Sequence, residues 1–256
     1  MVAACALYLF AKNKIKAEYR QAVKNIVPIF ILAFLGLFVS NYLIYLSLHS
    51  ASAMNVAIIN SSLPAIVVLV GLMLRIQKTN KKELAGVFIS TIGVLVICTE
   101  GHLMLVTTVC QEQGNLIALL CNLSWALYII LLKKLKPTNM GSVSFLFYCA
   151  VATVIISSPF MFMQFIKNDM MTLNIINISA VLTTGLGVSV LAYLCYNFSI
   201  EKLGSNKASS FMHMIPVVTI ILAFFFLEEE IKLFHIVGIV LVFFGVRTVL
   251  GNQKNA

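Results

Sequence analysis

Long apolar runs alternate with short basic connectors along the whole chain. A helix needs about 20 apolar residues to cross the hydrocarbon core of a bilayer. Segments 26–48, 54–74, 83–99, 114–132, 142–164, 174–199, 207–227 and 233–250 answer to that requirement. The third is short and must include its flanks. A further apolar stretch, 1–11, is too short to span. The connectors are brief, so neighbouring helices are expected to run antiparallel. The pattern predicts an all-α membrane protein, a bundle of several spans with little outside the bilayer.

Basic residues give that bundle a direction. Of the 18 Lys and Arg residues, all but Lys167 and Lys232 fall on one side of the predicted spans. They are Lys12, Lys14, Lys16, Arg20 and Lys24 before the first span, Arg75, Lys78, Lys81 and Lys82 after the second, and Lys133, Lys134 and Lys136 after the fourth. Lys202 and Lys207 flank the sixth connector, and Arg247 and Lys254 mark the C-terminus. Lys and Arg collect on the cytoplasmic side. The C-terminus is therefore expected in the cytoplasm.

Composition agrees. The chain has 256 residues, 61% of them hydrophobic and only 11% charged, with a mean hydropathy of +1.00. A soluble domain needs far more polar surface. The net charge of +9 does not indicate nucleic-acid binding, because the basic residues flank apolar segments and form no single stripe. Segment 1–11 is no signal peptide by pattern, since its basic residues follow the apolar run. The six cysteines show no C-x-x-C pair and read as small apolar side chains; only Cys98 and Cys110 could meet, at one outer loop. No P-loop, nucleophile elbow or H-E-x-x-H occurs, which argues against an enzyme and against ATP-driven pumping by this chain alone. No cofactor or metal site is expected; Glu100, His102, Cys110 and Glu112 near one outer loop have no recognisable ligand spacing.

The spans repeat. From Pro64 the chain reads Gln77, Gly86 and Gly93, and from Pro216 it reads Glu229, Gly238 and Gly245, so one offset of 152 residues carries the set. Upstream, Tyr42-Leu43-Ile44-Tyr45 echoes Tyr193-Leu194-Cys195-Tyr196 at an offset of 151. Five helices separate each span from its copy. Because five is odd, the copies cross the membrane in opposite senses, as in transporters built from inverted-topology repeats. A repeat of five helices implies ten, and here the first helix and part of the second are missing. Start of the chain at an internal Met is favoured over a protein that works without that helix, because a free N-terminus inside the bilayer leaves backbone groups without partners.

These residues resemble the EamA-type family of the drug/metabolite transporter superfamily. Gly114-Asn115-Leu116 into Trp125-Ala126-Leu127-Tyr128 is similar to its sixth helix, and the run from Leu203-Gly204-Ser205-Asn206-Lys207 to Ile215-Pro216-Val217 to its ninth. Glu229 matches the Glu of the family's Leu-Gly-Glu, with Glu228 replacing the Gly, and Gly238 and Gly245 match its tenth-helix glycines. In the first half Asn55 to Pro64 fits, but Ile76-Gln77 replaces Gly-Glu. The resemblance implies ten helices, cytoplasmic termini and transport of small metabolites. On this reading residues 1–99 form an N-terminally incomplete first repeat, 100–113 an outer loop, 114–250 the second repeat and 251–256 a cytoplasmic tail.

Candidate functional residues lie near the prolines. A proline inside a helix removes one hydrogen bond and clashes with the carbonyl four residues back, here that of Asn60 or Met212. At mid-membrane such carbonyls must meet protein, water or ligand. His213 is, among Asp, Glu, His, Lys and Arg, the one side chain well inside a span. Intramembrane ionisable groups tend to be functional, and a histidine could couple transport to protons; a neutral His bonded to a neighbouring helix is the alternative. Asn60 and Ser61, Tyr196 and Asn197, and Trp125 complete the expected substrate contacts. Trp125 and Tyr128 share a helix face and could stack on a flat substrate, with interfacial anchoring the stronger alternative for Tyr128. Gly86, Gly93, Gly238 and Gly245 are expected to let helices pack closely. Glu228, Glu229 and Glu230 read as a solvated helix end. The expected function is secondary transport, export favoured, of a small organic metabolite by alternating access about a midplane site between the repeats, in a bacterial cell membrane. A non-transporting scaffold or decayed transporter is the alternative. The expected partners are lipid, a small-molecule substrate and, through His213, protons; a homo-oligomer stays open.

Overall fold

The computed structural model describes residues 1–51, 53–76, 79–102, 113–166, 174–227 and 232–251. In chain order the elements are α1 (Val2–Ala17), α2 (Tyr19–Lys24), α3 (Ile26–Ser47), α4 (Ala53–Asn60), α5 (Leu63–Met73), α6 (Lys81–Cys98), α7 (Gln113–Leu135), α8 (Ser142–Ile166) and α9 (Ile175–Leu203). After them come α10 (Ser205–Ser210), a 3₁₀ turn over Phe211–His213, α11 (Met214–Leu227) and α12 (Leu233–Leu250). No strand occurs among the described residues. Seven spans among them are long and apolar enough to cross a membrane; α4–α5 count as one and α10–α11 as another. The third expected span, α6, is not among these seven; it is fully helical but opens on Lys81, Lys82 and Glu83, which shortens its apolar part. The basic segment expected as a loop before the first span is helical instead. α1 bends at Ala11, where φ is −131°, and carries Lys12, Lys14 and Lys16 onward. Lys, Ala, Glu, Gln and Arg are good helix formers, and no Gly or Pro interrupts them. Gln77, Lys78, Cys110, Glu112, Lys167, Glu228, Glu229, Glu230, Lys254 and most of the 100–113 loop and 251–256 tail lie outside the described residues.

The contacts divide the chain into two compact units, Met1–Val39 with Leu131–Lys202, and Ser40–Ile130 with Leu203–Ala256. In the first unit α1 packs on α8, and Tyr148 Oη donates to the Ile15 carbonyl at 2.8 Å. Glu18 accepts from the Gly141 N–H at 3.0 Å, and Lys136 pairs with Glu201 at the same basic end of the spans. Two wide π-turn segments, Ala33–Val39 in α3 and Thr184–Ala192 in α9, start 151 residues apart, the offset of the Tyr-Leu-x-Tyr echo. Widened turns leave carbonyls poorly paired, and Tyr193 Oη donates to that of Gly36 at 2.9 Å.

The second unit is organised by α6 against α12. A methyl group on Gly86 would lie 2.7 Å from the Gly245 carbonyl oxygen, and one on Gly93 would lie 2.8 Å from that of Gly238. The lower-numbered glycine of one helix meets the higher-numbered one of the other, so the two run antiparallel. Backbones this close need residues without a Cβ at the crossing. Val94, Ile97, Val217, Val242 and Val246 form one buried apolar cluster at these helices and Val68, Val87 and Val249 form another.

Candidate functional site at the two helix breaks

Both proline-bearing spans of the second unit are discontinuous. α4 ends at Asn60, Ser61 and Ser62 form a turn, and α5 starts at Leu63 with Pro64 in its first turn. α10 ends at Ser210, the 3₁₀ turn follows, and α11 starts at Met214 with Pro216 in its first turn. Each proline thus lies near the middle of one span, directly after a short turn within it. Each occupies the first turn of a second segment, where its missing N–H costs nothing and its fixed φ suits the start of a helix. At the 152-residue offset the two turns overlap at Ser61 and His213.

His213 joins the two breaks. Its Nε2 lies 2.8 Å from the carbonyl oxygen of Ser61, the residue 152 positions earlier. Its Nδ1 lies 2.7 Å from Ser90 Oγ on α6. A carbonyl can only accept, so Nε2 carries the hydrogen and donates it. His213 is 2% exposed, so both contacts are made out of water, where each unmade bond would cost most. From another side Asn122 Nδ2, on α7, donates to the Ile59 carbonyl at 2.8 Å. Pro64 leaves Asn60 without its helical donor, and side chains from two other helices land on the carbonyls to either side of it. Ser61 turns its own hydroxyl to the Ile58 carbonyl at 2.6 Å and offers only its backbone to His213.

The other candidates take definite places. Asn60 is exposed next to the turn, and Ser61 is buried within it. Trp125 is half-buried on α7 and stacks on Tyr128, with ring centroids 5.1 Å apart and planes at 28°. Tyr128 is fully buried, which removes the interfacial-anchor alternative for it. Tyr196 is half-buried and Asn197 buried on α9, both in the first unit. Asn60, Ser61, Trp125 and His213 are in the second. Of these four, Ser61 and His213 are joined directly by a hydrogen bond.

Ser90 and Asn122 were not among the residues the sequence singled out. Ser90 stands four residues after Gly86, on the small-residue face already marked by the glycines. Asn122 is an uncharged amide in mid-span, a type that bonds across helices in membranes. Both signals were present in the sequence.

Seven helices among the described residues that are long and apolar enough to cross a bilayer make a multi-span helical membrane protein. The sequence profile of the EamA-like transporter family matches residues 1–99 and 112–251, and the chain belongs to that family. It is 29% identical over 250 residues to the uncharacterized transporter YyaM of Bacillus subtilis (strain 168), covering 96% of this chain and 79% of that protein. It is 23% identical to a WAT1-related protein of Arabidopsis thaliana, covering 94% of this chain and 66% of that one. Protein PecM of Dickeya dadantii (strain 3937) is also 23% identical, over 86% of this chain and 74% of its own. A solved crystal structure shares the fold with a TM-score of 0.74 at 15% identity, covering all of this chain and 88% of the other. The protein is thus a multi-pass membrane transporter and no enzyme.

Proposed function

We propose that the chain is a secondary transporter that exports a small organic metabolite by alternating access, with its substrate site at the junction of the two helix breaks. The observation that carries this reading is the hydrogen bond from His213 to Ser61, which ties one broken helix to its repeat-equivalent. Broken spans expose backbone polar groups at membrane depth, where only protein, water or a ligand can satisfy them. Exposed Asn60 and half-buried Trp125 supply an amide and an aromatic face in the same unit, a combination suited to a polar organic molecule. The two repeats are read as rocking about this junction, with the C-terminus in the cytoplasm of a bacterial cell.

The test is uptake into liposomes by the purified protein, screened over a broad metabolite panel. At least one metabolite is expected to move faster than into empty liposomes. Pro64→Ala and Pro216→Ala restore an N–H to each break and favour a continuous helix; both are expected to slow that transport with insertion intact. Wild-type rates in both variants would refute the role of the breaks. A panel in which nothing moves would refute the transporter reading of this site.

A further inference from the structure

Ser90 gives His213 a neighbour that can serve it in either protonation state. In the neutral state Nε2–H donates to the Ser61 carbonyl, and the Ser90 hydroxyl donates its one hydrogen to Nδ1. The same hydroxyl oxygen lies 2.9 Å from the Gly86 carbonyl and 3.0 Å from that of Val87. If a proton binds Nδ1, the Ser90 hydrogen swings to one of those carbonyls and its oxygen accepts the new Nδ1–H. Every hydrogen then still has an acceptor. One proton is taken up, one hydroxyl rotates, and no other bond changes. A neutral structural histidine needs only one fixed tautomer; this one has a partner that can reverse its role.

Buried polar residues precede His213 in the same span. Asn206, Ser209, Ser210 and His213 follow helical spacing along α10 and the 3₁₀ turn, and all four are buried. Ser210 Oγ and Ser209 Oγ donate to the Asn206 carbonyl at 2.8 and 3.0 Å. The Asn206 amide reaches Thr79 Oγ1 at 3.1 Å and Glu83 Oε2 at 3.3 Å. Glu83 is half-buried in the first turn of α6. Around His213 itself, α4 and α5 bring no ionisable side chain and α11 none; α6 brings Lys81, Lys82, Glu83 and Cys98, α10 brings Lys207, and α12 brings His235 and Arg247. The charged ones stand in the terminal turns of their helices. Inside the bilayer the imidazolium would therefore rest on its two charge-assisted hydrogen bonds, and an intramembrane charge held that way is costly enough to be given up again.

We propose that His213 with Ser90 and Ser61 is a proton-binding site that couples this transporter to the proton gradient. The coupling rests on the transporter reading above; the binding of the proton does not. The experiment is ¹⁵N-histidine NMR of the full chain in lipid nanodiscs from pH 8.5 to 5, with the His213 signal assigned by its loss in His213→Gln. At high pH the Nε2–H tautomer is expected, with Nδ1 shifted as an acceptor, converting to imidazolium as the pH falls. Ser90→Ala is expected to weaken proton binding about tenfold, since the new N–H loses its acceptor. An unchanging His213 signal over the range, or Ser90→Ala titrating as wild type, would overturn the site. The second arm compares liposome uptake of a panel metabolite with and without a pH gradient. The ratio should depart from one in wild type and return to one in His213→Gln and Ser90→Ala. A ratio of one in wild type, with titration seen, overturns the coupling. No uptake at all overturns the transporter reading and the coupling with it, while proton binding is still decided by the NMR titration.

Discussion

Replacement of Gly245 by alanine should loosen the helix seam and the histidine site together. A Cβ there would stand 2.5 Å from the Ser90 backbone nitrogen and 2.6 Å from the Gly86 carbonyl oxygen. Ordinary contact begins near 3.4 Å, so the facing backbone must retreat by about 0.9 Å. Backbone atoms of a packed helix cannot rotate aside as a side-chain tip can. Overpacking of this kind costs about 1–3 kcal/mol. If Ser90 takes up the full displacement directly away from His213, their 2.7 Å contact opens to about 3.6 Å, beyond hydrogen-bonding reach. Equilibrium unfolding of the purified protein in mixed micelles measures the first effect, and the His213 nitrogen resonances measure the second. Gly187→Ala is the control, since nothing lies within 4 Å of a methyl group there; its cost should stay under about 0.5 kcal/mol. Wild-type stability in Gly245→Ala, or an equal loss in Gly187→Ala, would refute the close-packing account.

Asn122→Ala removes a donor to the Ile59 carbonyl and should cost about 0.6 kcal/mol, a typical interhelical hydrogen bond in a membrane, by the same unfolding assay. Tyr193→Phe withdraws the hydroxyl from Gly36 in the first π-turn and should destabilise by a similar amount, about 0.6 kcal/mol. For topology, a single cysteine at Asn252 should resist a membrane-impermeant maleimide in intact cells, while one at Lys232 should react. The opposite pattern would reverse the orientation assigned from the basic residues.

The spans were legible because hydropathy is a local property: each segment's length and apolarity bear on its fit to the bilayer whatever its neighbours do. α6 is the partial exception, since its charged first turn trims the apolar run, and the basic stretch of α1 and α2 shows that charge alone does not mark a loop. The glycine pairs were legible as a packing face because their seven-residue spacing repeats in both copies. Their pairing, Gly86 with Gly245 and Gly93 with Gly238, follows once the copies are taken as antiparallel.

By itself, then, the sequence determined the helices, the duplication, the location of both breaks to within a few residues and the singular position of His213. These follow from periodicity, spacing and the cost of polar groups in lipid. Only the tertiary structure decided what His213 touches, that Trp125 lies on its own neighbour Tyr128, and that Asn122 and Ser90 reach the two breaks. The reason is range. Ser61 and Ser90 stand 152 and 123 residues from His213, and no local pattern states which carbonyl or hydroxyl a distant helix will bring within 3 Å of a ring nitrogen.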